Sequence, residues 1–376
     1  MRRLSSPLLE KTLDGPCLEK RGAYYWICPP KQGTLEIRRY NRVISSVVKR
    51  QLIFIEDYLP GQMNLFFNGS DITANLHHVA EDFIDKIDNM APVYALQTSE
   101  LKRVVGLFKR NNLCTNLFLK ARKGTMTAIM GPSGCGKSIF IKMLAGCNKP
   151  SEGRINVADR PLSEMMNHVG YVPQGDVLLP ELTGKSSLHY TLKLFAPFLT
   201  FEERQSVIKH VADSLDLTLD TLDMQIGSPE WQGKYPSGGQ RRRISLAHEL
   251  VRCPEIIILD EPTSGLADTD AENVIRLLRK LADSQKMTII SSIHSPNSRM
   301  FNKFDYLLLV GTHGRICYYG PIKAAMEEVT MSKIDNPSNL MEAISSEEKV
   351  SALVDNYLYC MTEHCPSVQY FPEVLP

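Results

Sequence analysis

The sequence of 376 residues contains no uninterrupted run of the roughly 20 apolar residues that a membrane-spanning helix requires. The N-terminal segment includes Arg2 and Arg3 but has no apolar core of signal-peptide length. The chain also lacks a large excess of positive or negative charge, because it has 43 basic and 42 acidic residues. A balanced charge gives no whole-chain attraction to nucleic acid. These absences predict a soluble globular chain with no nucleic-acid partner.

Paired cysteines are missing as well. The nine cysteines are an odd number and form no Cys-x-x-Cys pair. A disulfide framework is therefore not expected, and the pattern indicates a reducing compartment, which places the protein on the cytosolic side of a membrane. The sequence also lacks internal repeats and low-complexity tracts.

A glycine-rich loop at residues 131–138 is the strongest chemical signal that is present. It reads Gly-Pro-Ser-Gly-Cys-Gly-Lys-Ser, follows an apolar run at residues 127–130 and precedes a helical pattern at residues 139–145. Glycines allow consecutive backbone N–H groups to face an anion, and the following helix directs its positive end to the same point. Lys137 is expected to neutralise phosphate charge, and Ser138 is expected to offer a hydroxyl to Mg²⁺.

Two adjacent carboxylates form a second part of the expected site. The apolar residues 256–259 end at Asp260 and Glu261. Ligands gather at the carboxyl ends of parallel strands, so Asp260 is predicted beside Ser138, where it can hold Mg²⁺. Glu261 is predicted to orient and deprotonate water near the terminal phosphate. An isolated Asp-Glu pair favours an ordinary exposed loop, but its place after an apolar strand and a phosphate loop favours the functional interpretation.

Three further segments add polar groups in chain order. Gln174 follows a strand pattern at residues 169–172, and its amide can bridge a metal ion, water and a neighbouring segment. Ser237–Gln240 opens a helix, where the hydroxyl and the glycine amides form a second anion site. One chain has no second triphosphate for that site, so a partner chain is expected to supply one. His294 follows another strand pattern and is a candidate phosphate sensor.

The order of apolar runs predicts an α/β layer fold with a mainly parallel sheet from about residue 86 onward. An inserted helical lobe is expected before residue 256, and the segment beyond residue 331 is polar. The N-terminal part gives a weak signal, with a strand at residues 24–28 and helical spacing at residues 35–55. The basic residues there are interpreted as a solvated helix face, with an anionic membrane surface as the alternative. The predicted strands are 117–119, 126–130, 155–157, 169–172, 256–259, 288–291, 306–310 and 316–319, and the predicted helices are 137–145, 201–215, 239–251, 270–282 and 322–329.

Together these motifs resemble the nucleotide-binding domain of ATP-binding cassette proteins over residues 86–330. The matches follow the family order: Walker A at 131–138, the Q-loop at Gln174, the signature at 237–240, Walker B at 256–260, the catalytic Glu261, the D-loop at 264–267 and the switch His294. The residue sequences of Walker A, of residues 259–266 and of residues 293–298 are similar to those of the white-type (ABCG) half-transporters. Members of that subfamily place six membrane helices after the nucleotide-binding domain.

The resemblance implies a P-loop NTPase (RecA-like) core with a mainly parallel sheet, an antiparallel β subdomain and a helical subdomain at residues 175–252. It divides the chain into an N-terminal extension (1–85), the nucleotide-binding domain (86–330) and a tail (331–376) leading to where membrane helices would start. It further implies a homo- or heterodimer in which ATP lies between the Walker motifs of one chain and the signature of the other. The transmembrane domain would be a partner that this chain lacks.

The resemblance also implies a role for each motif residue. Lys137 and the loop amides hold phosphate, Glu261 polarises water and His294 supports the γ phosphate. The expected catalytic residues are Glu261, His294, Gln174 and Lys137, and the expected ligands of Mg²⁺ are Ser138, Gln174 and Asp260. The expected contacts to ATP are Gly131, Pro132, Ser133, Gly134, Cys135, Gly136, Lys137, Ser138, Ile139, Tyr94, Ser237, Gly238, Gly239 and Gln240.

Several positions depart from the family pattern. Pro236 stands where leucine is usual, and Ala267 stands where the D-loop aspartate is expected. Tyr94 is the candidate for the aromatic ring that stacks on adenine, with Phe108 as the alternative. Cys135 lies at a helix N-terminus beside a lysine, which predicts a lowered thiol pKa and redox-sensitive ATP binding, with a small loop filler as the favoured alternative.

The predicted function is ATP hydrolysis that powers a white-type transporter. The chain would act at the cytoplasmic face, attached to the membrane through a partner, or in the membrane if the full product carries C-terminal membrane helices. Two alternatives stay open. One is a soluble ATP-binding cassette protein outside transport, and the other is a regulatory decoy that binds nucleotide and turns over poorly.

Overall fold

A computed structural model describes residues 94–105, 111–227, 234–294 and 296–325, together with strand segments between residues 17 and 71 and a few residues between 337 and 353. The chain divides into two compact units. One comprises Met1–Pro92 and Leu199–Ser206, and the other comprises Val93–Phe198 and Val207–Pro376.

In the N-terminal unit, the described residues between 17 and 71 form two small antiparallel sheets. One has the order β1 (Cys17–Arg21), β2 (Tyr24–Cys28), β5 (Gln51–Ile53), and the other has the order β4 (Arg42–Ser46), β3 (Leu35–Arg39), β6 (Asn64–Phe67), β7 (Ser70–Asp71). The predicted strand at residues 24–28 is confirmed. The helical interpretation of residues 35–55 is wrong, because three strands occupy that range. Alternating apolar and charged residues, as in Leu-Glu-Ile-Arg at the start of β3, match the period of a strand.

The central sheet of the larger unit has six strands. Their order is β14 (Val169–Val172), β15 (Ile256–Leu259), β16 (Thr288–Ser292), β11 (Met126–Met130), β17 (Tyr306–Val310), β18 (Ile316–Pro321). All neighbours are parallel except β17 and β18. β11, β15 and β16 are buried at every position, as expected of strands covered on both faces. The parallel pairing brings the carboxyl ends of β14, β15, β16 and β11 to one edge, where the candidate site lies.

A second, antiparallel sheet completes the predicted fold class. It has the order β10 (Lys120–Arg122), β8 (Tyr94–Val105), β12 (Glu152–Val157), β13 (Arg160–Pro161), and β9 (Asn111–Leu117) also pairs with β8. The predicted strand at residues 117–119 therefore overlaps only the end of β9. The long strand β8 was not predicted.

The helices carry the motifs between these strands. They are α1 (Lys137–Leu144), α2 (Gly184–Phe195), α3 (Phe201–Ser214), α4 (Leu219–Asp223), α5 (Gly238–Leu250), α6 (Asp268–Gln285) and α7 (Ser298–Phe301). Threonine hydroxyls cap α2 and α4, where Thr183 accepts from the amide of Ser186 and Thr218 from the amide of Thr221. The helix α2 was not predicted, and of the predicted helix at residues 322–329 only residues 322–325 are described, as helical.

The C-terminal segment contributes to the core despite its polar composition. Leu340, Ile344 and Val350 are fully buried, and Arg315 Nη1 donates to Ser351 Oγ at 3.1 Å. The expectation of a polar tail overlooked these widely spaced apolar residues. No helix within the described ranges is long and apolar enough to cross a membrane.

Candidate functional site

The glycine-rich loop joins β11 to α1, as predicted. Gly131 has no room for a side chain, since a Cβ atom there would lie 2.3 Å from the carbonyl oxygen of Val310. Gly134 and Gly136 have φ values of 80° and 103°, which glycine adopts without steric cost. Gly136 precedes α1 without a side-chain cap, so the first amides of the helix are available to an anion. Pro132 is half-buried, and Ser133 and Gly134 are exposed at the tip of the loop.

Lys137 is held beneath this loop. Its Nζ donates to the carbonyl oxygens of Gly131 at 2.7 Å and Pro132 at 3.0 Å, and only 6% of the residue is exposed. The ammonium therefore lies within the loop rather than in solvent. The role of Lys137 as the cation of a phosphate site stays a prediction.

A carboxylate and two hydroxyls meet at the carboxyl ends of β15 and β16. Oδ1 of Asp260 accepts from Ser138 Oγ at 3.2 Å and from Ser292 Oγ at 2.8 Å. Asp260 is 2% exposed, and its amide donates to the carbonyl oxygen of Val172 at 2.9 Å. Mg²⁺ prefers such oxygen ligands, so the adjacent hydroxyl of Ser138 and carboxylate of Asp260 fit this ion. The predicted proximity of these two residues is observed.

Glu261 has an unusual backbone conformation that points its side chain toward the Q-loop. Its φ is 46°, which is rare for a residue other than glycine. Its amide donates to Ser292 Oγ at 2.8 Å, and its Oε2 accepts from Gln174 Nε2 at 2.7 Å. One continuous chain of hydrogen bonds thus runs from Ser138 through Asp260, Ser292 and Glu261 to Gln174.

Ser292 was not predicted as a site residue. It is fully buried at the end of β16 and joins the two carboxylate residues of the adjacent strand. The available signal was the pair of serines, Ser291 and Ser292, that ends an otherwise apolar strand pattern. Two consecutive hydroxyls at the carboxyl end of a buried parallel strand indicate a polar role there.

The signature segment forms the start of α5. Ser237 Oγ accepts from the amide of Gln240 at 3.3 Å, and Oε1 of Gln240 accepts from the amide of Ser237 at 2.8 Å. This capping box fixes the helix start. Ser237 and Gly238 are exposed, whereas Gly239 is buried against the carboxylate of Asp270. The segment therefore exposes the Ser237 hydroxyl and the Gly238 backbone, and its contact with ATP bound by another chain stays a prediction.

Other predicted residues lie in different surroundings. His294 is exposed and follows β16 by two residues. Tyr94 is 8% exposed at the start of β8, with Lys120 Nζ 5.6 Å from its ring centre, and its stacking on adenine stays a prediction. Ile139 packs against the hydrophobic core, and Phe108 lies outside the described residues.

Burial controls the pKa values of two side chains at the site, Cys135 and Tyr171. Cys135 is 3% exposed, and burial raises the pKa of its thiol more than the charge of Lys137 lowers it. The hypothesis of a lowered thiol pKa is therefore wrong, because desolvation outweighs the nearby cation. Burial, with the charge of Asp260, raises the pKa of Tyr171 to about 12, so this phenol stays neutral beside the carboxylate.

Comparison with known proteins finds similarity to ATP-binding cassettes of ABC transporters. Residues 114–264 match the ABC transporter family model. The chain is similar to ABC transporter G family member 22 of Arabidopsis thaliana, with 37% identity over 57% of this chain and 28% of that protein. It is 36% identical to G family member 6 of Dictyostelium discoideum over 57% of this chain and 14% of that protein. With member 23 of Arabidopsis thaliana the identity is 30%, over 69% of this chain and 42% of that protein. The chain thus spans less than half the length of these relatives.

Solved structures support the fold. The ATP-binding cassette MJ0796 bound to ADP and Pi, described as a dimeric post-hydrolysis state, matches with a TM-score of 0.53 and 21% identity, over 60% of this chain and 98% of that one. The cbiO1 subunit from Clostridium perfringens matches with a TM-score of 0.55 and 23% identity, over 63% of this chain and 92% of that one.

Proposed function

Because this chain carries an ATP-binding cassette related to those of the ABC transporter G family, we propose that it binds and hydrolyses Mg-ATP to power transport across a membrane. The observation that carries the proposal is the hydrogen-bond chain from Ser138 through Asp260, Ser292 and Glu261 to Gln174. It joins the phosphate loop, the paired carboxylates and the Q-loop into one polar site.

The residues of this site divide the chemistry between them. Lys137 and the loop amides bind phosphate, and Ser138 with Asp260 would hold Mg²⁺, which supplies charge neutralisation at the phosphates. Glu261 orients the attacking water and accepts its proton, and Gln174 fixes the carboxylate in the required direction. The exposed His294 supports the γ phosphate. Catalysis of this kind rests on positioning and electrostatic stabilisation.

The partner that completes the site is a second cassette. Ser237 and Gly238 are exposed at a capped helix start, which offers a hydroxyl and backbone amides to an anion. In a head-to-tail dimer this start would face the phosphates bound by the other chain. This arrangement is possible both in a homodimer and in a heterodimer.

The transmembrane partner is proposed to cover an apolar surface next to the Q-loop. Val177 and Leu179, which follow Gln174 closely in the chain, are 81% and 62% exposed. A cluster of exposed apolar residues beside a functional segment favours a protein contact there. Covering them would attach the cassette to the cytoplasmic face of a membrane and connect the membrane domain with Gln174.

Nucleotide binding and turnover by the whole chain test this proposal. We expect saturable binding of a fluorescent ATP analogue that is lost in Lys137→Ala, and Mg²⁺-dependent hydrolysis that falls about a hundredfold in Glu261→Gln. Glu261→Gln should also form an ATP-dependent dimer in sedimentation, because it binds without turning over. Wild-type chain that binds Mg-ATP yet hydrolyses it no faster than Glu261→Gln would support the regulatory decoy instead. Absence of binding would refute both.

A further inference from the structure

Arg242 connects the signature helix with the backbone of Asp260 and Glu261. The residue lies on α5 and is 5% exposed, and its guanidinium reaches the carboxyl ends of β14 and β15. Nη2 donates to the carbonyl oxygens of Asp260 and Glu261, each at 3.2 Å. On the same guanidinium, Nε donates to Pro262 O at 3.0 Å and Nη1 donates to Pro173 O at 2.7 Å.

The geometry of these contacts requires a guanidinium. Arginine has five N–H donors in a planar fork, one on Nε and two on each Nη. Four of them serve the carbonyl oxygens just described, and Nη1 also forms an ion pair with Asp176 Oδ1 at 3.6 Å. Lysine has three donors on a single nitrogen and cannot span the same set of acceptors. The set of acceptors therefore needs the planar guanidinium of arginine, and a positive charge alone would not replace it.

The supported backbone is the one that holds Glu261 in its unusual conformation. A left-handed conformation is unfavourable for a residue other than glycine and persists only where the surroundings enforce it. Arg242 binds the carbonyl oxygen of Glu261, and Ser292 Oγ binds its amide. The peptide groups on both sides of the Glu261 Cα are therefore fixed. The bond to Pro173 O adds the residue immediately before Gln174, whose amide binds the Glu261 carboxylate.

We propose that Arg242 is a positioning residue for ATP hydrolysis, which aligns the Glu261 carboxylate and the Gln174 amide from the signature helix. The inference rests on the proposed function. Because α5 begins at the signature segment, the same residue joins the half of the site that faces the partner with the half that carries out hydrolysis. Among the described contacts of Arg242 none reaches the phosphate loop, so we expect its loss to lower turnover more than ATP binding.

Steady-state hydrolysis and equilibrium ATP binding by Arg242→Lys test this assignment. We expect kcat to fall at least about tenfold while KM and the Kd of a fluorescent ATP analogue change by less than about twofold. Arg276→Lys is the matched control, because Arg276 forms an exposed ion pair with Asp216 at 2.8 Å and should leave all three values unchanged. The double variant Arg242→Met with Asp176→Asn removes both charges of this ion pair together and provides a second test if Arg242→Lys is unstable.

The outcomes separate this inference from the proposed function. A wild-type chain without binding or turnover would refute the proposed function before Arg242 is tested. A wild-type chain that turns over, with folded Arg242 variants within twofold of its kcat, would refute the positioning role alone. Equal losses of kcat and ATP affinity would also refute it, because they would indicate general disruption of the site.

Discussion

The amide nitrogen Nε2 of Gln174 donates to Oε2 of Glu261 at 2.7 Å. Gln174 follows β14 at the edge of the central sheet, and Glu261 follows the neighbouring strand β15. The contact makes the orientation of the Glu261 carboxylate depend on a surface segment that is adjacent to the exposed apolar residues Val177 and Leu179. Movement of that segment by a partner would therefore change the direction of the carboxylate.

Replacing Gln174 by glutamate should change the pH dependence of hydrolysis. Gln174→Glu places a second carboxylate within hydrogen-bond distance of Glu261. Because two adjacent negative charges repel, such a pair keeps one proton to a higher pH than a single carboxylate does. We expect the acid limb of the kcat profile to move to higher pH by about one unit. Gln174→Ala is the control, since it lowers kcat without adding a charge. Coincident acid limbs in the two variants would contradict this prediction.

The two glycines of the signature should differ in their tolerance of a methyl group. A Cβ atom at Gly239 would lie 2.8 Å from Cγ of Asp270, whereas one at Gly238 would contact only Leu266 at 3.5 Å. We expect Gly239→Ala to destabilise the protein by about 1–3 kcal/mol through overpacking. Gly238→Ala should be neutral or slightly stabilising, because alanine favours the helix. Thermal unfolding measures both, and Asp270→Ala should restore the stability of Gly239→Ala. If Asp270→Ala does not restore stability, the clash with Asp270 is not the cause of the destabilisation in Gly239→Ala.

The sequence predicted the parts of the site whose chemistry depends on residues close together in the chain. The phosphate loop needs glycines and a lysine at fixed spacing, and Asp260 with Glu261 directly follows an apolar strand, so both could be recognised. Arg242 could not be recognised, and the serine pair at residues 291–292 indicated only a general polar role, because the specific contacts depend on how elements pack. Ser292 reaches Asp260 only through the parallel register that sets Leu259 opposite Ser291.

The misread elements have a similar cause. The strands between residues 35 and 53 have five residues or fewer. The alternation in each strand is therefore short, and over the whole range the basic residues among Ile and Val gave an apparent helical spacing. The thiol pKa of Cys135 depends on burial, which its position beside Lys137 in the sequence does not reveal.

A cap at position 267 should stabilise the helix that follows the D-loop. Ala267 has the extended backbone of an N-cap residue but no side chain that can bind a helix amide. We expect Ala267→Ser and Ala267→Asp each to stabilise the protein by about 1 kcal/mol, because both side chains accept a hydrogen bond from the first turn. Comparison of the two separates the cap from the effect of charge, since Asp268 and Asp270 already lie in that turn. Thermal unfolding provides the measurement. Unchanged stability in both variants would show that the missing cap at position 267 does not limit stability.

Acid should weaken the helical part of the cassette through His248. This imidazole lies between α5 and α2, with Nε2 2.7 Å from Ser187 Oγ and Nδ1 2.9 Å from Thr191 Oγ1. Burial lowers the pKa of His248 from 6.5 to about 4. Above pH 6.5 the histidine is neutral in both the folded and the unfolded chain. As the pH falls from about 6.5 to about 4 only the unfolded chain takes up the proton, so stability decreases by roughly 3 kcal/mol.

Removing the titrating group should remove this dependence. We expect His248→Gln to lower the slope of unfolding free energy against pH between about 6.5 and 4, measured by urea unfolding at several pH values. Thr191→Val is the matched control. It deletes one hydrogen bond to the ring and should cost about 1 kcal/mol at every pH while the histidine still titrates. Equal slopes for wild type and His248→Gln would mean that other groups control acid stability, because a neutral buried imidazole is the only source of the predicted difference between these two proteins.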